Sequence, residues 1–156
     1  MKTALKIGGT IVVLWLVVFL VYQATLIWNP AAIEKKTEAF LNAVQAQSFE
    51  EAAALFDGAE GEESLAFEIQ KLHEEQGVRL LSYRNVKAEY DDGSFNTGHV
   101  DLTFEVDGNP LDVKAILTFG VGARPKQVCV IQPSELKGKS IPQLESWNEL
   151  VCGGSF

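Results

Sequence analysis

The hydrophobic pattern changes its period twice along the chain. Residues 7–28, IGGTIVVLWLVVFLVYQATLIW, carry no charge and only Thr10, Gln23 and Thr25 as clearly polar side chains. Wound as a helix, the run rises roughly 33 Å, about the thickness of a bilayer core. Tyr22 and Trp28 stand towards its far end, where amphipathic rings favour the membrane interface. The pattern predicts a transmembrane helix over 7–28 that holds the lipid bilayer, behind a short cytoplasmic tail, 1–6. A removed signal peptide is the competing reading, since Lys2 and Lys6 supply a basic start. Three features favour retention. The run exceeds the roughly 7–15 residues of a signal core, bulky Tyr22 stands two places before the small-residue site at Ala24, and no cysteine near 20–30 could accept a lipid.

After Asn29-Pro30, where a helix can start or kink, Ile33, Thr37, Phe40, Leu41 and Val44 recur at helical spacing and make one apolar stripe. Ser48-Phe49-Glu50-Glu51 has the form of a capping box, opening a short helix that ends at Asp57-Gly58. A third helix is expected from Glu62 to Gln76, with Leu65, Ile69 and Leu72 on one face and Gly77 as its stop. From Val78 the pattern alternates. Val78–Tyr90 reads as one long strand whose apolar side switches near Leu80-Leu81 and again near Asn85-Val86, as bulges would cause. Val100, Leu102, Phe104 and Val106 alternate with polar neighbours, and so do Leu111, Val113, Ala115, Leu117 and Phe119. A last apolar strand covers Gln127–Gln132, and a short helix carrying Leu144, Trp147 and Val151 follows Pro142. Consecutive turns between the strands imply a four-stranded antiparallel meander. The fold class is therefore α+β: a domain over 29–133, with a C-terminal helix and tail over 134–156.

Composition adds three constraints. Hydrophobic residues at 47 % and charged residues at 22 % place the chain among folded proteins. Losing Lys2 and Lys6 with residues 1–28 would turn the net charge from −8 to −10, so the body repels phosphate backbones and nucleic acid is not expected as a partner. Lys2 and Lys6 on one side of the run nearly balance Lys35 and Lys36 on the other, but the very short leading tail favours an inward N-terminus. In a bacterium that puts the body in the periplasm or outside the cell. Cys129 and Cys152 are the only cysteines, too few for a four-cysteine zinc site. In an oxidising compartment the pair is expected to be bonded, tying the tail helix to the last strand; two free thiols are the alternative.

Helices followed by a long curved meander resemble the nuclear transport factor 2-like superfamily, also described as a cystatin-like α+β cone. The residues that carry the resemblance are IEKKTEAFLNAVQAQSFEEAAALFDG, the bent strand VRLLSYRNVKAEY and the two alternating strands after it, in all about residues 31–133. The resemblance implies a sheet wrapped around the long helix, often enclosing an apolar pocket. The superfamily includes isomerases, dehydratases and cyclases, and also membrane-anchored domains that act as scaffolds in bacterial secretion assemblies.

The candidate chemistry is sparse. Neither inward strand row contains an acid or a base. His99 and Asp101 share the opposite face, with Glu105 or Asp112 as conceivable third ligands, but a solvated face is the expected reading. His73, beside Glu74 and Glu75, is expected to be exposed. No catalytic triad, phosphate loop or zinc spacing occurs, so no catalytic residue, metal or cofactor is assigned. If the cone is hollow, its pocket would involve Phe40, Phe67, Tyr83, Tyr90, Phe104 and Phe119. Ile116, Trp147 and Phe156 have no obvious place in the core pattern and are candidates for partner contact. The sequence thus points first to a single-pass envelope protein acting as a non-catalytic accessory or scaffold subunit among other membrane proteins. The alternative is a binding module or enzyme for a small apolar ligand.

Overall fold

A computed structural model describes residues 2–57, 61–91, 94–120, 123–134 and 140–153; the side chains of 2–12, 22–29, 62, 90–91 and 94–96 lie outside the description. Helix α1 runs without a break from Lys2 to Gln45, with Pro30 inside it. Of the two expectations at Asn29-Pro30, a new helix does not start there. The apolar run and the stripe that enters the core therefore share one helix. Of that stripe, Ile33, Thr37, Phe40, Leu41 and Val44 are all buried, and the Thr37 hydroxyl is satisfied by the Ile33 carbonyl one turn back.

Helix α2 spans Phe49–Leu55 and α3 spans Glu62–Gln76. Ser48 stands at the N-cap of α2 but makes no side-chain cap bond, so the expected capping box is not closed. Gly77 ends α3 in the left-handed region at φ 67°, which glycine reaches without steric cost. Strands β1 (Arg79–Asp91), β2 (Ser94–Val106), β3 (Asn109–Phe119) and β4 (Pro125–Ile131) form one antiparallel sheet in chain order. The β1–β2 register slips in three places: between Leu80 and Ser82 and between Arg84 and Lys87, where the apolar side switches in sequence, and again between Glu89 and Tyr90. Asn85, at φ 56°, lies in the second slip. Asp107 and Gly108 both take positive φ, as a tight two-residue hairpin demands.

One sheet face is apolar and closed. Val100, Leu102, Phe104, Val113, Ala115, Leu117, Val128 and Val130 join Phe40, Leu41 and Val44 of α1 and Leu65, Ile69 and Leu72 of α3 in a single core. Helix α4 (Pro142–Val151) then lies against β4, which would otherwise be an open edge. Its Asn148 receives the Val130 N–H at 2.8 Å and donates to the Val130 carbonyl at 2.9 Å. The indole N–H of Trp147 donates to the Val128 carbonyl at 3.0 Å. Cys129 and Cys152 form a disulfide across the same junction. The opposite edge, β1, is covered by α1: Gln45 donates to the Leu81 carbonyl, and the Ala88 N–H donates to Glu34.

The disulfide closes a loop of 23 residues' separation, for which chain entropy gives roughly 3 kcal/mol. Replacing both cysteines by alanine should lower the unfolding free energy in urea by that order, and Asn148→Ala should cost roughly 1–3 kcal/mol through the orphaned Val130 groups. An unchanged midpoint in both variants would contradict the sealed-edge description.

Candidate functional site

The interior offers little room. The Phe40 ring meets Phe56 at 5.1 Å between centroids, and Phe104 meets Trp147 edge-on at 5.0 Å. Both Phe40 and Phe104 are fully buried and packed. Phe67 does not point inward: it is 62 % exposed, because the core face of α3 is set by Leu65, Ala66, Ile69 and Leu72 and position 67 falls on the far side. Phe119 is half-buried against the core, its ring beside Gly98. A β-carbon at position 98 would also overlap the Lys87 carbonyl, so glycine is required there. The Tyr90 side chain lies outside the described residues. The six aromatic candidates therefore do not converge on one cavity.

What remains of a cone opening is a recess of about 280 Å³ between the end of α1, α3 and β1, walled by Phe49, Leu72, Phe104 and Trp147, with His73 and Glu105 among its polar groups. His73 is half-buried rather than exposed. Its Nδ1 lies 3.2 Å from the Val78 carbonyl and its ring 5.7 Å from that of Phe49. That hydrogen bond ties the imidazole to the α3–β1 turn. On the other face of the sheet, His99 and Asp101 are drawn apart. His99 pairs with Glu89 at 2.7 Å. Asp101 accepts from Asn85 at 2.6 Å and faces Arg84 at 3.6 Å, while Asp112 accepts from Thr103 at 2.6 Å. Among the described residues no group of three or more His, Cys, Asp or Glu is arranged to hold a metal ion.

Tyr83 stands at the α1–β1 seam, and its hydroxyl donates to Asn42 Oδ1 at 2.9 Å. Burial pushes its phenol above the ordinary value of 10.0, the Glu38 carboxylate adds to the rise, and the bond to Asn42 opposes them. It is a joint between helix and sheet rather than a group aimed into a pocket.

The larger concavity is outside the cone. Where α4 folds over the β4 edge, a groove of about 790 Å³ opens between α4 and the outer faces of β3 and β4. Ile116 and Ile131, 43 % and 49 % exposed, stand in it beside Ile141 and Leu144, and Glu145 and Glu149 rim it. Cys129, the register partner of Ile116, contributes to the wall. Two of the three partner-contact candidates fare otherwise. Trp147 is 1 % exposed; its ring covers Phe104 and its N–H is spent on β4, so it is a core residue and not a docking one. Phe156 lies outside the described residues, as do the side chains of Tyr22 and Trp28. Ile131 was not anticipated, although strand parity marks it: with Val128 and Val130 inward, Ile131 must face out.

The described side chains of the apolar run are those of 13–21. All nine are exposed, including Trp15 and Phe19, which stack at 5.7 Å. Among the described residues no helix is long and apolar enough to cross a membrane; the side chains of 7–12 and 22–28 lie outside the description.

No family model matches the chain, and no curated relative matches it. Among solved structures, the chain is similar to an NTF2-like protein of unknown function from Cytophaga hutchinsonii, at 15 % identity and a TM-score of 0.46, over 67 % of this chain and 93 % of that one.

The raised Tyr83 phenol has a consequence for stability. Its neutral form is favoured by folding, so the contribution is complete below about pH 10 and is lost as pH rises through the elevated value. Alkaline unfolding monitored by circular dichroism should therefore steepen above pH 10 in the native chain and be shallower in Tyr83→Phe, since Tyr22 and Tyr90 are common to both. Identical pH profiles would contradict the assignment.

Proposed function

We propose that this chain is a single-pass membrane protein, with residues 1–6 in the cytoplasm, 7–28 in the bilayer and the α+β domain over 29–133 with its 134–156 tail on the periplasmic or outer side. There it serves as a non-catalytic accessory or scaffold subunit, in the manner of membrane-anchored nuclear transport factor 2-like domains. The observation that carries the subunit role is the outer groove. Exposed Ile116 and Ile131 lie on a sheet face that otherwise carries mostly polar side chains, in a concavity whose wall is braced by the disulfide and by Asn148. An exposed apolar patch framed by polar groups is the usual form of a protein contact. Glu145 and Glu149 on its rim favour a partner segment with an apolar anchor and basic flanks.

Three further features support the placement. The exposed nine-residue apolar stretch on α1 has no packing partner among the described residues, and a helix apolar on all sides is one that lipid or protein must cover. A disulfide fits an oxidising compartment. The acidic body repels phosphate backbones, so nothing in its charge calls for a nucleic-acid partner inside the cell. The small-ligand reading has weaker support, because the recess of about 280 Å³ is at the lower end of ligand pockets and its histidine is engaged with backbone.

Photo-crosslinking from position 116 or 131 in living cells tests the reading. A discrete adduct with one other membrane protein is expected from both positions and not from position 67 on α3, and Ile131→Asp should abolish it. Adducts of equal yield from all three positions, or none from 116 and 131, would refute the groove as the contact.

A further inference from the structure

Three contacts fix how the β1–β2 hairpin runs along α1. Gln45 bonds the Leu81 carbonyl, Asn42 bonds the Tyr83 hydroxyl, and Glu34 bonds the Ala88 N–H. Helix numbers fall as strand numbers rise, so the closed end of the hairpin is directed towards the N-terminal part of α1. The two elements keep step. From Gln45 to Glu34 the helix advances about 16 Å. From Leu81 to Ala88, measured along the unbulged partner strand from the level of Phe104-Thr103 to Gly98, the hairpin advances about 18 Å.

The hairpin does not stop there. Strand β3 last pairs with β2 at Thr97, whereas β1 and β2 go on pairing with each other as Tyr90 with Phe95 and Asp91 with Ser94. From Ala88 to Asp91 is a further 10 Å or so along the strand, which corresponds to about seven residues of helix. Counted back from Glu34, that level is Ile27–Trp28, the end of the apolar run.

We infer that the closed end of the β1–β2 hairpin rests on the membrane surface, making a second, non-spanning contact between the domain and lipid. The inference rests on the proposed reading of 7–28 as a bilayer span. The residue types at this end suit the level: Tyr90 and Phe95 are register partners, and aromatic residues favour the headgroup zone. Asp91, in the last pair, suits the water side of a zwitterionic surface better than an anionic one. Together, α1 and the hairpin give the domain two supports, so it is held at one tilt rather than swivelling about a single stem.

The test uses spin labels on the full chain in vesicles of phosphatidylethanolamine with a minor share of phosphatidylglycerol. Single substitutions Ser94→Cys, Asp91→Cys, Asn109→Cys and Val17→Cys are labelled without reductant; the native disulfide, with cysteines 4 % and 5 % exposed, stays closed. Collision with oxygen against a water-soluble nickel chelate reports depth. The oxygen-to-nickel ratio at both 94 and 91 should be severalfold above that at 109, on the far β2–β3 turn, and below that at 17. Equal ratios at 94, 91 and 109 with a hydrocarbon-like ratio at 17 would overturn the hairpin contact and leave the span intact. A water-like ratio at 17 would overturn the span, and the hairpin contact with it.

Discussion

The structure depends on one helix being shared. The stripe Ile33, Thr37, Phe40, Leu41 and Val44 fills the concave side of the sheet, and it belongs to the same unbroken helix as the apolar run before it. A helix that packs by one stripe cannot rotate without exposing that stripe, so its rotational setting is fixed by the core. Whatever holds the N-terminal part of α1 therefore orients the whole domain. A flexible linker would have removed this coupling, and none occurs between residues 28 and 33.

The second constraint is the fate of the two sheet edges. Four strands in chain order leave β1 and β4 with unpaired backbone groups, which invite strand addition. Helices answer for both, by side chains: Gln45 and Glu34 on β1, Asn148 and Trp147 on β4. The disulfide reinforces the β4 side, where the helix is short and has only ten residues to hold it. With the edges covered, the proposed contact falls on the outer face of β3 and β4, where Ile116 and Ile131 break a polar pattern. Strand addition is thereby blocked at the covered groups, so the contact proposed for the groove is one made by side chains.

Much of this was legible in residue order because it follows from local period. The extent of α3, the first two slips in β1 and the alternation of β2 and β3 all follow from which positions are apolar. The pairing of Cys129 with Cys152 was legible as chemistry once an oxidising compartment was assumed. What failed needed three-dimensional information. Phe67 is as apolar as its neighbours, but α3 has room for only one inward face, and Leu65, Ile69 and Leu72 occupy it. Trp147 shares the period of Leu144 and Val151 and belonged to the core for that reason; its ring completes the layer over Phe104. Asn29-Pro30 offered a place for a new helix to start, because asparagine caps helices and proline suits a first turn, yet one helix continues through it. His73 was set beside acids in sequence, while its actual partner, the Val78 carbonyl, lies across the turn.

The most direct test of the shared helix is the state of the chain in cells. Membranes washed with alkaline carbonate, followed by mass spectrometry of the retained chain, ask whether residues 7–28 remain attached to the domain. The protein should stay in the washed membranes and yield peptides that run unbroken from the apolar segment into Ile33–Val44. Recovery in the soluble fraction of a chain that begins after Trp28 would contradict it.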